Sequence, residues 1–285
     1  VIDDYEMKIT HVMRGEEFIS STPKFLSLYD ALGIERPALA TLPVILGEEG
    51  TKKLGKRDGA KDLLDYRAEG YLPEAMVNFL ALLGSHPEGD EEILSREALI
   101  AKFDLSKVQK GGAHFDEQKL FHINQTWMRK LSDEEYLSRG GFEPHPSMPN
   151  IIPMLKERAR TFGEARDMLA NELGYLFAAP ALDKAALLAK EPEGRSGLAR
   201  SALEGLPEPL KALPDGVSAA AVKEAIMPRA DAEEAKGKGG RGGVLWPLRY
   251  ALSGAERSPD PFTLVAILGP AESESRVRAA LGILG

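Results

Sequence analysis

The 285-residue chain contains no cysteine, which removes disulfides, thiolate zinc sites, iron–sulfur clusters and cysteine nucleophiles at once. No stretch approaches the roughly 18 uncharged apolar residues of a membrane span. The opening VIDDYEMKIT lacks both the basic and the apolar regions of a secretion signal, so a cytoplasmic protein without a membrane partner is expected. Histidine is scarce: His11, His86, His114, His122 and His145 form neither an HExxH motif nor a paired metal-ligand spacing, and no protein-only metal site is predicted. No GxSxG elbow supports a hydrolase. Positive charge is also in deficit, with 36 Lys and Arg against 44 Asp and Glu for a net charge of -8. That balance argues against a nonspecific nucleic-acid coat and against DNA as a partner, so an RNA or phosphate partner must meet local basic clusters.

What is present reads as an ordinary globular balance, 43% hydrophobic and 28% charged, at a length suggesting about two domains. Val1 is followed at once by polar IDDYEMK, which leads us to expect a chain whose natural start lies upstream. Lys8 to Met13 is a β-branched segment. Thr22 is a predicted N-cap with Pro23 at the first helical position, and Phe25, Leu26, Tyr29 and Leu32 follow at helical spacing before Gly33. Leu39 to Leu46, closed by Gly47, is predicted as a strand buried on both faces. Strand, helix, strand is the order of a βαβ unit, whose ligands bind at the carboxyl ends of the strands.

Beyond Asp58 the pattern turns helical. Pro73 to Leu83 is a predicted helix closed by Gly84, and Asp116 to Leu131 places Leu120, Ile123, Trp127, Met128 and Leu131 on one face. Ser132 and Glu135 form a predicted capping box. From Pro153 onward, helical segments alternate with breaks at Pro180, Glu191 to Gly194, Pro207 to Pro209 and Pro214, which predicts a helical array. Gly237 to Gly243 is a predicted loop, and Trp127 and Trp246 are assigned to apolar packing.

The densest cationic cluster is Lys52, Lys53, Lys56 and Arg57, in a glycine-containing loop after a predicted strand. Two readings fit: a phosphate clamp, in which mobile lysines stabilise charge on departing pyrophosphate, and a solvated strand-to-helix loop. Gly50 to Arg57 follows the Walker A pattern until Arg57 stands where Ser or Thr must hold magnesium, which disqualifies a P-loop. Arg14, Glu16 and Glu17, just past the first strand, together with Asp3 and Asp4, form either a surface salt-bridge network or a site for a carboxylate and an amine.

The runs DDYEMKITHVMRGEEFISSTPKFLSLYDALGI, LPVIL, TKKLGKRDGA, YRAEGYLPEAMVNFLALLG, AHFDEQKLFHIN and VLWPLRYALSGAERSPDPFTLVAILG, in this order, resemble bacterial glutamyl-tRNA synthetases, class I enzymes, over essentially the whole chain. The resemblance implies a mainly α protein with a small α/β part. Residues 1–60 would be the second half of a class I Rossmann catalytic domain, 61–135 a stem-contact region, and 136–205 and 206–285 an all-α anticodon-binding helical array. The HIGH-type sequence of the family's first half does not occur in these residues.

It also implies roles. Lys53 to Arg57, KLGKR, matches the family's KMSKS-type signature, with Gly55 in place of the usual serine. Lys53 and Lys56 would act on the ATP phosphates with Arg57 beside them, Glu17 and Phe18 would contact ATP, and Ile45 would meet adenine. Arg14 would receive the glutamate carboxylate in a pocket lined by Asp4. Arg158, in MLKERARTF, would separate tRNA-Glu from tRNA-Gln; a solvated helix face is the alternative for that stretch. The implied activity is ATP-dependent activation of glutamate, with magnesium accompanying ATP, and its transfer to tRNA-Glu by a monomeric enzyme. The competing expectation is a tRNA-binding piece unable to form the adenylate by itself. A shortened glutamyl-queuosine-type paralogue fits less well, since such proteins lack the anticodon-binding part.

Overall fold

The computed structural model describes residues 1–47, 50, 52–55, 60–85, 91–191, 196–235 and 241–285, and Lys56 and Arg57 lie outside them. The chain divides into two compact units, residues 1–131 with 160–163, and residues 132–159 with 164–285.

The first unit begins with α1 (Ile2–Glu6) and β1 (His11–Gly15), followed by a short 3₁₀ turn, Glu16–Ser21, and α2 (Thr22–Leu32). β2 (Ala38–Leu42) then returns parallel to β1, with His11 opposite Ala38 and Gly15 opposite Leu42. The expected strand–helix–strand unit is therefore present, with three local differences. The first strand starts at His11, because Lys8 takes a left-handed conformation at φ 56° and turns the chain before it. Ser21 rather than Thr22 occupies the N-cap, and the Thr22 hydroxyl instead donates to the Phe18 carbonyl at 2.8 Å. Leu39 to Leu46 is not one buried strand. It breaks at Pro43, which has no N–H for a ladder, and Leu39 and Leu42 are exposed in a sheet where, among the described residues, β2 pairs only with β1.

After the break, β3 (Ile45–Leu46) pairs in parallel with β4 (Ala113–His114) in a second two-stranded sheet. Between them lie α3 (Leu63–Ala68), α4 (Pro73–Gly84) and α5 (Arg96–Lys102); α6 (Glu117–Lys130) follows β4. α4 packs on α6 through Ala75, Met76, Phe79, Leu120 and Ile123, all buried. Two fully buried asparagines tie the loops to this pair, as buried amides must be bonded. Asn78 accepts from Leu94 N–H at 3.0 Å and from Trp127 Nε1 at 3.1 Å, so Trp127 packs with its indole N–H satisfied. Asn124 accepts from Leu72 N–H at 2.8 Å and donates to the Arg160 carbonyl at 2.6 Å.

Gly70 explains its own identity. It sits at φ 86°, and a Cβ there would lie 2.7 Å from both Gly163 N and Phe162 Cβ. We expect Gly70→Ala to destabilise this unit by about 2 kcal/mol, from left-handed strain and the clash together. Urea denaturation checks it: an unchanged midpoint would mean the backbone relaxes at no cost.

In the second unit no strand occurs among the described residues. The capping box at Ser132 and Glu135 forms with both hydrogen bonds and starts α7 (Asp133–Gly140), followed by α8 (Met148–Arg158). α9 (Phe162–Asp167) runs into a π-helical turn, Met168–Glu172, and a 3₁₀ turn, Gly174–Leu176. The remaining helices are α10 (Lys184–Leu188), α11 (Leu198–Glu204), α12 (Pro207–Lys211), α13 (Ala219–Ala235), α14 (Gly242–Ser253), α15 (Pro261–Leu268) and α16 (Pro270–Leu284). α14 is central, packing on α11, α13, α15 and α16. Pro207 begins a short helix instead of only breaking the chain, since Pro is tolerated in a first turn. Gly242 and Gly243, expected in a loop, form the first turn of α14, and Leu198 packs where a Cβ on Gly243 would stand. No helix among the described residues is long and apolar enough to cross a membrane.

Candidate functional site

The parallel strands of the first unit end at Gly15 and Leu42, and a small open pocket lined by Arg14, Gly15 and Thr41 forms at that edge. Arg14 comes from the end of β1 and is held by aromatic rings, its guanidinium lying 5.0 Å from the Phe18 centroid and 5.1 Å from that of Phe25. Stacking of this kind fixes a guanidinium without consuming its in-plane N–H donors, which stay available to a carboxylate. Asp4, from α1, lines the same pocket and accepts a hydrogen bond from the Tyr29 hydroxyl at 3.1 Å. Burial raises the Tyr29 phenol above its ordinary range; the bond to Asp4 and the carboxylate's charge add to the shift, and Arg14 opposes it. One cation, one anion and flat apolar walls within a single pocket suit a small zwitterion.

Glu17 and Lys53 lie together beside this pocket. The Glu17 carboxylate folds back over Gly15, where a Cβ would come within 2.4 Å of it. Lys53 Nζ is 3.9 Å from Glu17 Oε2, with both side chains more than half exposed, so the pair contributes little to stability and leaves the lysine free to move. The backbone of the lysine segment is nevertheless anchored. Lys53 bridges Leu46 in antiparallel fashion, Leu54 N–H donates to the Ile45 carbonyl at 2.8 Å, and Gly47 N–H donates to Lys52 O at 3.0 Å. Ile45 thus supports the base of a short ribbon, and Lys52 and Lys53 project into solvent at its edge.

The structure therefore brings Asp4, Arg14 and Phe18 into one pocket and sets Glu17 against Lys53, while Ile45 underlies the lysine ribbon. Sequence reasoning placed Tyr29 on a packing face and did not single out Phe25 or Thr41 as pocket residues. Only Tyr29 had an available signal, a phenol among aliphatic residues, whose hydroxyl needs a partner when buried.

Arg158 belongs to the second unit, in the last turn of α8, where Nη2 donates to Glu172 Oε2 at 2.8 Å. Its neighbour Lys156 is instead drawn inward, bonded to Asp133 at 2.9 Å and 5.5 Å from the Tyr136 ring. A second feature of this unit escaped the sequence reading. Trp246, assigned to apolar packing, is only half-buried. Its ring has Lys190 Nζ at 5.6 Å and the Arg249 guanidinium at 4.8 Å, in an open cleft. Its indole N–H is taken by the Ala186 carbonyl at 2.9 Å, leaving the ring as a flat face with cations beside it. The spacing of Trp246 and Arg249, three apart on a helix, was the legible clue. Among the described residues no group of three or more His, Asp or Glu is arranged to hold a metal.

The first unit thus carries a parallel strand–helix–strand with an arginine at its carboxyl edge and a lysine ribbon, and the second unit is helical. Residues 1–122 match the family described as tRNA synthetases class I (E and Q), catalytic domain, and residues 119–281 match the anticodon binding domain. The two matches together span residues 1–281, and the chain belongs to the class I tRNA synthetases of the E and Q group. It is 38% identical to glutamate–tRNA ligase 1 of Mesorhizobium japonicum, over 97% of this chain and 59% of that protein. It is 34% identical to the glutamate–tRNA ligase of Heliobacterium modesticaldum, over 100% of this chain and 58% of that one. A crystal structure of a glutamate tRNA ligase from Elizabethkingia meningosepticum, in complex with its amino acid, superposes with a TM-score of 0.78 at 34% identity, covering 100% of this chain and 59% of its own. The chain thus spans about three-fifths of the length of these relatives.

Proposed function

We propose that these residues serve a glutamate–tRNA ligase, which joins glutamate to tRNA-Glu with ATP. A glutamate carboxylate oxygen attacks the α-phosphate of ATP and pyrophosphate leaves. A ribose hydroxyl at the 3′ end of the tRNA then attacks the activated carbonyl, and AMP departs. The observation that supports this reading is the pocket at the strand ends, lined by Asp4 and by Arg14, whose guanidinium lies against two aromatic rings. In it Arg14 holds a glutamate carboxylate, Asp4 the ammonium, and Glu17, Phe18 and Ile45 meet the nucleotide.

Lys53, Lys56 and Arg57 offset charge on the leaving phosphates, which is positioning and electrostatics rather than covalent chemistry. Magnesium enters bound to ATP. Within this reading residues 1–60 serve activation, 61–135 meet the tRNA stem, and 136–205 and 206–285 read the anticodon with Arg158. The enzyme works as a monomer in the cytoplasm.

Lys56→Ala is expected to lower glutamate-dependent ATP–pyrophosphate exchange by roughly a hundredfold while leaving tRNA affinity unchanged, as for other preorganised charge donors. The assay uses the protein at the relatives' full length, and exchange at the wild-type rate would remove Lys56 from the site. A second reading follows from the lack of a HIGH-type sequence in these residues: the 285-residue polypeptide by itself binds tRNA without forming adenylate. Salt-sensitive tRNA binding without exchange supports it, and exchange by this polypeptide refutes it.

A further inference from the structure

The cations of the second unit differ in how they are held. Arg200–Glu204 and Arg278–Glu274 are spaced i, i+4 along single helices, ordinary pairs of a solvated face. Arg158 pairs across elements, as Lys156 does with Asp133 and Arg241 with Asp231, and Glu172 at 2.8 Å is its one hydrogen-bond partner among the described residues. The backbones on both sides are fixed. α8 is anchored by Met148, Ile151, Ile152 and Leu155, all buried. Glu172 ends the π-helical turn, which closes through Leu173 N–H to the Met168 carbonyl at 2.8 Å. Such widened turns are uncommon and re-phase the side chain at their end. The 3₁₀ turn that follows is stapled by Arg276, which donates to the Tyr175 carbonyl at 2.7 Å.

Both partners are about half exposed, 44% for Arg158 and 55% for Glu172. An exposed pair adds little to stability, so its rigid mounting calls for another explanation. Beside it the Tyr175 hydroxyl is buried without a hydrogen-bond partner among the described residues, and burial pushes that phenol up to about 12, within reach of both charges. An unsatisfied hydroxyl next to a preset ion pair marks a place where stability has been given up.

A guanidinium beside a carboxylate presents donors next to an acceptor. The pairing edge of cytosine presents the complement, with acceptors at N3 and O2 and a donor at the exocyclic N4 amine. Uracil carries an acceptor, O4, where cytosine has that amine. A carboxylate therefore tells the two apart, because it accepts from an amine and repels a carbonyl oxygen. The last anticodon base pairs with the first codon base, so it is cytosine in tRNA-Glu and guanine in tRNA-Gln.

We propose that Glu172 is a specificity-determining residue that reads this base together with Arg158, accepting the cytosine N4 amine while the guanidinium donates to N3 and O2. The proposal rests on the tRNA-binding reading and on the assignment of Arg158 within it. Discrimination comes as much from the repelled base as from the accepted one.

The test uses the 285-residue chain and anticodon stem-loop RNAs that differ only at the last anticodon base, with affinities measured by fluorescence anisotropy at one salt concentration. The wild type is expected to prefer C over U by about tenfold or more, and Glu172→Gln, whose amide can donate as well as accept, to reduce that ratio to near one. Glu172→Asp is expected to keep a preference for C. If Glu172→Gln shifts all the affinities by one common factor, Glu172 acts only through its charge and the proposal is overturned. Arg158→Gln separates the two levels. If it leaves the ratio of C to G untouched, the anticodon assignment itself falls. If it lowers that ratio while Glu172→Gln changes no ratio, only the role given to Glu172 falls.

Discussion

Replacing Arg14 with glutamine is expected to lower kcat/KM for glutamate in ATP–pyrophosphate exchange by roughly a thousandfold, the middle of the range for losing one partner of a desolvated charge pair. The size of the effect follows from the mounting of the side chain. Phe18 and Phe25 hold the guanidinium at 5.0 and 5.1 Å, so its orientation is set before the substrate arrives. Glutamine keeps a donor but loses the charge and the parallel pair of N–H groups that match a carboxylate. Arg14→Lys, which restores charge without the fork, should recover only part of the loss. Steady-state exchange kinetics at the relatives' full length measure both variants. A variant with wild-type kcat/KM would show that the strand-end pocket does not take the amino acid, whatever the lysine ribbon does.

The second large effect concerns stability. Arg276 is 4% exposed, and its guanidinium donates to the Leu252 carbonyl at 2.6 Å, to the Tyr175 carbonyl at 2.7 Å and to Glu272 at 2.7 Å. It joins α16 to the end of α14 and to the turn after Glu172. Arg276→Met keeps much of the volume but strips the donors from the Leu252 and Tyr175 carbonyls and the longer bond to the Ala178 carbonyl at 3.4 Å. The expected cost is about 3 kcal/mol, since a buried acceptor left unpaired loses close to its full desolvation energy. Glu272 is 44% exposed and regains water, so it adds little to that cost. Urea denaturation of the second unit would show the midpoint fall with an unchanged slope. A loss below about 1 kcal/mol would mean that water replaces the guanidinium at those carbonyls.

How far these sites could be read from the sequence differs from residue to residue. The capping box at Ser132 and Glu135, the helix from Pro73 to Gly84 and the buried face of Leu120, Ile123 and Met128 follow from short-range rules, and each is present. Leu39 to Leu46 failed as one strand because an apolar run reports only hydrophobicity, whereas Pro43 removes a ladder donor at one point. Arg14 and Asp4 were named from the sequence, yet nothing in their spacing could place Tyr29 against Asp4, which lies 25 residues away along the chain. Trp246 was assigned to packing because it sits in an apolar helical pattern; Lys190, which makes its face cationic, comes from beyond the C-terminal end of another helix, α10.

Local order along the chain was enough for the capping box at Ser132 and the buried face of Leu120, Ile123 and Met128, because hydrogen bonding and apolar spacing within ten or so residues decide them, but not for the cap at Thr22 or the strand from Leu39 to Leu46. Collinear motifs were enough to establish the family. Which charges face which partners was settled only by folding. Lys156 turns inward to Asp133 while Arg158, two residues on, stays outward on Glu172, although both belong to one basic stretch. The cause is geometric. A helix sends neighbouring side chains in different directions, and what waits in each direction is supplied by a distant segment whose approach depends on the packing of the whole unit.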